Sequence, residues 1–131
     1  MTLAQAAAMV RDVVDATAAE VLPSAPARVD ELSSGRKLCE PPALQDEDYG
    51  VVLDVPVDEI GAAVERARSY WEGRGFEVRV ERIGTDIPAL FVDDFRPEQG
   101  PTGDSYAVEF SANTESGQVF IGGSTPCLPA E

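Results

Sequence analysis

Histidine is absent from the 131 residues of this chain. Histidine is the usual general base at neutral pH, a member of the Ser-His-Asp and Cys-His catalytic groups, and the commonest zinc ligand. The serines and threonines have no activating base nearby in the sequence, and no GxSxG motif is present. We therefore expect no enzymatic activity and assign no catalytic residue.

Basic residues are scarce: Lys and Arg total 10 against 24 for Asp and Glu, so the formal net charge is −14. Such a chain repels phosphate groups, and no local stripe of Lys or Arg offsets the imbalance. We expect no nucleic-acid binding and no attraction to an anionic membrane surface. The charge is compatible with simple solubility or with a basic protein partner.

Long apolar runs are also missing: the chain contains no stretch of 18 apolar residues, which is about the length needed to span a bilayer. The N-terminal "MTLAQAAAMVRDVVDA" does not have the pattern of a signal peptide, because Arg11 and Asp12 interrupt it before an apolar region forms. This leaves a cytosolic protein or a mature domain without its leader. The glycine pairs at 73–75 and 122–123 fit neither a P-loop nor a dinucleotide fingerprint, so no cofactor is expected.

Two segments have the periodicity of amphipathic helices. Residues 3–22 place valines and alanines at spacings of three and four, and Pro23 follows directly. A second helix is predicted over about 57–73, with an apolar stripe that ends at Trp71. Trp71 is expected in the core, while Tyr70 lies on the flank of this helix and could line a groove.

Strand patterns fill most of the remaining chain. The alternation in "FEVRVER" predicts that Phe76, Val78 and Val80 point inward, and "DSYAVEFSA" places Tyr106 and the alternate residues after it on one face. Further strands are predicted over 28–32, 49–55, 89–92 and 118–123, and "SSGRKLCEPPALQDEDYG" is interpreted as a loop.

This order of elements predicts an α+β fold. Successive strands without intervening helices favour antiparallel pairing. We expect one domain over residues 1–131, with one twisted, mainly antiparallel sheet of four to six strands. Both helices should pack on one face, and the C-terminal strands should span 76–123.

The candidate binding residues cluster after the strand at 89–92. Asp93 and Asp94 lack the spacing of a calcium loop, so they are either solvated loop residues or a weak cation site, and no metal site is assigned. Phe95 and Arg96 begin the long polar loop that follows, where an aromatic beside a guanidinium is a common recognition pair. Alternatively, Phe95 tucks under its own loop.

The two cysteines, Cys39 and Cys127, are 88 positions apart and match no zinc or CxxC spacing. Each lies close to proline in a non-repetitive segment. A disulfide between them would tie down the chain end and would indicate an oxidising compartment. The alternative is two separate buried or free thiols.

Three stretches, "AAVERARSYWEGRGFEVRV", "DIPALFVDD" and the terminal "STPC", together resemble small actinobacterial secreted proteins and lipoproteins of unknown function. Such proteins often carry two helices, several strands and a final Ser/Thr-Pro-Cys. The resemblance spans most of the chain and implies an extracytoplasmic domain in which Cys39 and Cys127 match the family's cysteine pair. It transfers no catalytic residue, and a lipid anchor would lie outside this chain.

Three functional hypotheses follow. The first is a non-enzymatic extracytoplasmic domain, secreted or anchored in the cell envelope, that has a binding or structural role; its outer sheet face and the 93–104 loop would bind a protein or a small ligand. The second is a cytosolic, acidic immunity or inhibitor protein that neutralises a basic partner through its charge. The third, a weak hydrolase or isomerase that uses Asp93 or Asp94, has little support because adjacent acids at the end of a strand are mostly solvated loop residues, and the sequence indicates no substrate.

Overall fold

The first helix, α1 (Leu3–Val21), begins at a capping box. The Thr2 hydroxyl accepts a hydrogen bond from the Gln5 backbone N–H at 3.1 Å, and the Gln5 side chain accepts one from the Thr2 N–H at 2.9 Å. The helix ends one residue earlier than predicted, before Pro23. The computed structural model describes residues 2–24, 26–40, 43–83, 87–96 and 106–129. Within them, neither helix has the length and apolarity needed to cross a bilayer.

The second helix, α2 (Ile60–Gly73), follows a short 3₁₀ helix at Val57–Glu59, so the predicted span of 57–73 comprises both. Gly75 adopts a φ of +84°, in the left-handed region, and the chain turns back at this point. The Phe76 N–H then donates to the carbonyl of Trp71 at 3.0 Å, which completes the end of the helix.

Eight strands in the described residues form one antiparallel sheet. They are β1 (Arg28–Val29), β2 (Gly35–Leu38), β3 (Leu44–Asp54), β4 (Arg79–Ile83), β5 (Ile87–Val92), β6 (Ala107–Ala112), β7 (Gln118–Ser124) and β8 (Leu128–Pro129). Their order is β1-β3-β7-β6-β5-β4, with β2 and β8 also paired to β3. The α+β class and the antiparallel pairing agree with the prediction.

The predicted number of four to six strands is wrong, because each side of β3 is paired with two short strands rather than with one continuous strand. β1 and β2 lie along one side of β3, separated by a 3₁₀ helix at Glu31–Ser33. β7 and β8 lie along its other side, separated by residues 125–127. The predicted strand at 28–32 therefore ends at Val29.

The segment interpreted as a loop, "SSGRKLCEPPALQDEDYG", contains β2 and the first half of β3. Its charged residues form cross-strand pairs: Arg36 bonds Glu47 at 2.9 Å, and Arg11 of α1 reaches the same carboxylate at 2.6 Å. The Glu47 residue is only 6% exposed. The charges and prolines of this segment are typical of a loop, so the sequence did not predict these strands. The strands are stabilised by residues that are distant in the chain.

Both helices pack on one face of the sheet, as predicted. α1 contacts β3 and β7, while α2 contacts α1, β5 and β6. Gly123 lets α1 approach closely, since a Cβ at this position would lie 2.8 Å from the Val10 Cγ1 atom. The largest fully buried side chains are Trp71, Phe110, Leu3, Leu53, Leu90 and Ile121.

The strand predicted from "FEVRVER" starts at Arg79 rather than at Phe76. Phe76 and Val78 pack partly against the core. Val80 lies on the same face as its cross-strand neighbour Leu90, but it is 54% exposed, so its predicted burial is wrong. β4 is the edge strand, at the opposite end of the sheet order from β3, on which α1 packs. The alternation of apolar and polar residues within a strand does not reveal which strands of the sheet the helices cover.

Candidate ligand-binding groove

The sheet face opposite the helices carries a groove of about 530 Å³. Its floor includes two pairs of cross-strand neighbours from β6 and β7: Glu109 lies opposite Gly122, and Ala107 lies opposite Ser124. Most of these side chains are small or missing. The centre of the face is therefore concave, and Glu109 is the one large side chain among these four residues.

Phe120 bounds the groove on one side with a ring that lies against two glycines. A Cβ at Gly50 would come within 2.7 Å of the Phe120 Cε1 atom, and a Cβ at Gly122 within 2.6 Å of its Cζ atom. No side chain larger than hydrogen fits at either position while the ring stays there. The glycine pair thus explains why an aromatic ring can rest flat on the sheet.

The 3₁₀ helix between β1 and β2 forms a second wall. It leaves the edge of the sheet at Gly50, whose carbonyl accepts from the Asp30 N–H at 2.8 Å and whose N–H donates to the Ser34 hydroxyl at 3.1 Å. These bonds satisfy the backbone where the strand is interrupted. Ser33 and Leu32 then line the groove, and Leu32 is 99% exposed.

Phe91 and Asp93 form the opposite wall, and Arg79 contacts both. The guanidinium of Arg79 lies over the Phe91 ring, 4.7 Å from its centroid. It also donates two hydrogen bonds to the Asp93 carboxylate, at 2.9 and 3.2 Å, and pairs with Glu81. The bond from Arg79 lowers the pKa of Asp93 below its ordinary value. This wall therefore already holds one guanidinium between an aromatic face and carboxylates.

Two further carboxylates line the groove. Asp48 forms an ion pair with Lys37, whose Nζ lies 2.9 Å from its carboxylate. The Glu109 carboxylate has no hydrogen bond or ion pair with any residue in the described part of the chain. Partial desolvation of the carboxyl, and then the negative charge of Asp48, raise the pKa of Glu109 above its ordinary value, although the residue as a whole is exposed. Glu109 is thus an acidic group held without a counter-charge.

Replacing Glu109 by glutamine is expected to raise the free energy of unfolding slightly at pH 7 and to leave it unchanged at pH 3.5. A carboxyl whose pKa is raised in the folded state stabilises that state below its unfolded pKa, and the benefit is lost as the pH rises through the folded pKa. Glutamine carries no charge at either pH, so the variant does not lose stability through ionisation at this position. Urea unfolding at both pH values measures the difference.

The matched control is Glu115→Gln in the exposed turn between β6 and β7, which makes the same change of charge away from the groove. We expect it to leave the stability nearly unchanged at both pH values. Asp48 and Asp93 are the other charged residues that line the groove, and both variants retain them together with their partners Lys37 and Arg79. A Glu109→Gln protein less stable than the original at pH 7 would contradict the interpretation.

Three of the predicted binding residues meet at a second cavity, of about 520 Å³, beside the end of α2. Asp93, Asp94 and Phe95 line it. Phe95 is only 8% exposed, and its ring lies 5.6 Å from those of Phe76 and Tyr106. The structure therefore favours the alternative in which Phe95 packs inward.

Arg96 and Tyr70 lie at the two ends of this aromatic group. The Arg96 guanidinium is 5.5 Å from the centroid of Tyr106, and its backbone N–H bonds Asp94 at 3.0 Å. Tyr70 lies under Arg74, which donates to its hydroxyl at 3.3 Å. These contacts account for the positions of both residues, and neither lines the groove on the open face.

The 93–104 loop starts beside the groove. Asp93 and Ala107, which flank it, both line the open face, and the Phe95 N–H donates to the Tyr106 carbonyl at 2.8 Å. Residues 97–104, the greater part of this predicted binding segment, lie outside the described residues.

Cys39 and Cys127 form the predicted disulfide. Cys39 follows β2 and Cys127 precedes β8, so the bond joins the two strands that flank the start of β3. The Asp46 carboxylate completes the one cluster of potential metal ligands in the described chain, with ligand atoms within 4.8 Å of one another. Sulfurs joined in a disulfide are not thiolates, which are the form that binds metals.

Sequence reasoning missed Phe91, Glu109, Phe120 and Leu32. A signal for two of them was present: the alternation that sends Val108 and Phe110 inward sends Glu109 outward, and the same holds for Phe120 within β7. Their proximity depends on the strand order, which local alternation does not reveal.

The chain was compared with models of protein families, with curated proteins and with solved structures, and none of them matches it. The chemistry of the groove is therefore the basis on which a function is proposed.

Proposed function

We propose that this protein is a non-enzymatic binding domain of an extracytoplasmic compartment, which holds its ligand in the groove on the open sheet face. The observation that carries this proposal is the shape of that face. Small residues at its centre leave a groove of about 530 Å³ between Phe91 on one side and Phe120 and Leu32 on the other. Concave sites lined by apolar rings with a few polar groups are typical of ligand binding.

The location of the protein is proposed from the disulfide. Structural disulfides persist in oxidising compartments and are rare in the reducing cytosol of most organisms. The Cys39–Cys127 bond closes a loop of 88 positions and ties β8 to the sheet. The resemblance to secreted proteins and lipoproteins implies the same compartment.

Binding is favoured over catalysis by the residues available. The chain has no histidine, and the Asp93 carboxylate is engaged by Arg79 rather than held ready to transfer a proton. The hypothesis of a hydrolase based on Asp93 or Asp94 gains no support from these contacts.

An NMR experiment on the ¹⁵N-labelled protein tests the proposed binding site. A panel of neutral, anionic and cationic aromatic fragments is added, and amide shifts are followed. We expect shifts to cluster at Phe91, Glu109 and Gly122. Ser124→Phe should abolish them because the new ring fills the groove, whereas Val80→Phe, at an exposed position outside it, should not. Fragments that shift only amides elsewhere would refute the proposal.

A second candidate function is an acidic inhibitor or immunity protein, favoured by the net charge of −14. Charge complementarity of this size accelerates association with a basic partner and weakens with salt. A single basic partner, recovered from the cytosol of the native host at low salt and released at high salt, would favour this function. Two free thiols in the host-derived protein would point the same way.

A further inference from the structure

We propose that the groove on the open sheet face is a receptor site for an arginine side chain of a basic protein, with the guanidinium bound at Glu109 between Phe91 and Phe120. This inference rests on the proposed function and names its ligand class. It is based on the charges of the groove, where one of the carboxylates has no counter-charge among the described residues.

The first step is the charge that lacks a partner. Of the carboxylates that line the groove, Asp48 pairs with Lys37 and Asp93 with Arg79. Glu109 has no such partner among the described residues, although the groove partly shields it from water and Asp48 adds negative charge nearby. A bound cation would supply the missing counter-charge. A guanidinium is suited to this, because it can donate two parallel hydrogen bonds to one carboxylate.

The second step is the shape of the floor beside Glu109. Its neighbour across β7 is Gly122, and Ala107 and Ser124 occupy the adjacent row. The Phe120 ring already covers Gly122, so the room for a planar group lies between this ring and Phe91, beside the small residues Ala107 and Ser124. Phe91 and Phe120 stand on either side of Glu109, in β5 and β7, and offer aromatic contacts to a cation or to the methylenes that carry it.

The third step is an arrangement of the same kind within the chain itself. The guanidinium of Arg79 stacks on Phe91 and forms two hydrogen bonds with the neighbouring Asp93. At this wall, an aromatic ring beside a carboxylate therefore binds a guanidinium. Glu109 is the cross-strand neighbour of Phe91 and offers the same pair of groups to a second one.

The fourth step identifies the source as a protein rather than a free amine. Leu32 stands 99% exposed at the rim of the groove, where a partner surface could cover it. The net charge of −14 also exceeds what one small cation needs, and it favours a partner that is basic over a wide area. An arginine that projects from such a partner would enter the groove while its surroundings contact the rim.

The test uses three peptides of one sequence, with arginine, lysine or citrulline at the central position between two leucines. Citrulline has nearly the shape of arginine without its charge. In ¹⁵N NMR titrations of the full chain, we expect the arginine peptide to shift the amides of Phe91, Glu109 and Gly122. Citrulline should bind roughly ten- to hundredfold more weakly, the range expected for a charged hydrogen-bonded pair. Equal binding of the two would overturn the inference.

Protein variants test the same contact from the other side. Glu109→Gln is expected to reduce binding of the arginine peptide roughly ten- to hundredfold. Glu115→Gln, which removes an equal charge outside the groove, should reduce it less than twofold. Because both substitutions are on exposed positions, the folded state is retained and can be verified in the same spectra. Similar losses in the two variants would mean that only the overall charge matters, and would refute a site at Glu109.

Failure of this inference can be distinguished from failure of the proposed function. If neutral fragments shift the groove amides but the arginine peptide does not, the groove binds ligands of another class and only the inference is refuted. If neither binds there, both are refuted. Butylguanidinium or spermidine that binds as tightly as the peptide would overturn the assignment to a protein partner, and tighter binding of the lysine peptide would overturn the choice of arginine.

Discussion

Replacing Trp71 by alanine is expected to lower the free energy of unfolding by about 3 to 5 kcal/mol, the cost typical of a fully buried large aromatic residue. Trp71 is the largest side chain with no exposed surface, and it lies where α2 packs against α1. Its indole N–H donates to the Thr17 hydroxyl at 2.8 Å, and that hydroxyl donates to the Val13 carbonyl at 2.7 Å. Alanine would leave both a cavity and an interrupted polar chain between the helices.

Urea unfolding followed by far-UV circular dichroism measures this change, since Trp71 is the only tryptophan and the variant has no indole fluorescence. Thr17→Val is the matched control, because it keeps the packing volume but leaves the indole N–H buried without an acceptor. We expect it to cost about 1 to 3 kcal/mol. A Trp71→Ala protein that loses less than the valine variant would contradict the proposed packing role.

Removing both cysteines by Cys39→Ala and Cys127→Ala is expected to lower the free energy of unfolding by about 4 to 5 kcal/mol, the value that chain entropy predicts for a loop of this length. The bond closes 88 positions, which makes the unfolded chain much less free. β8 has only two residues and pairs with β3 alone. Without the disulfide, we therefore expect the end of the chain to detach first.

Hydrogen exchange at Leu128 measures that local detachment, while urea unfolding measures the global cost. The exchange rate should rise in the double variant and, for the unchanged protein, on addition of a reductant. The amide of Ile121 in β7 provides the internal reference, because it lies in the core and should respond only to global unfolding. Equal stability with and without reductant would contradict a structural role for the bond.

Local patterns predicted the helices and the inner strands well. In α2 the apolar stripe that ends at Trp71 is buried, and in β6 the alternation of Val108 and Phe110 places both side chains in the core. These patterns reflect contacts with neighbours three, four or two positions away, which any window of sequence contains. The Cys39–Cys127 pairing was also accessible, because the chain has only two cysteines.

Predictions that needed knowledge of distant neighbours were less successful. β2 is a strand because its charged residues find partners across β3, such as Lys37 with Asp48, and the sequence alone suggested a loop. Val80 alternates like a core residue but lies on the edge strand, where it remains 54% exposed. Phe95 was predicted as a recognition residue or as a buried one, and its contacts with Phe76 and Tyr106 favour burial.

The sequence by itself determined the α+β class, the two helices, the acidic character and the single pair of cysteines, because each follows from composition or from short-range periodicity. Only the tertiary structure decided that the open face has a groove. Its wall at Phe120 exists because β3 and β7 pair in a register that sets Gly50 opposite Gly122 and so gives the ring a flat seat, and β6 places Glu109 beside that wall. Register is a property of strands that meet from distant parts of the chain, and no local pattern encodes it.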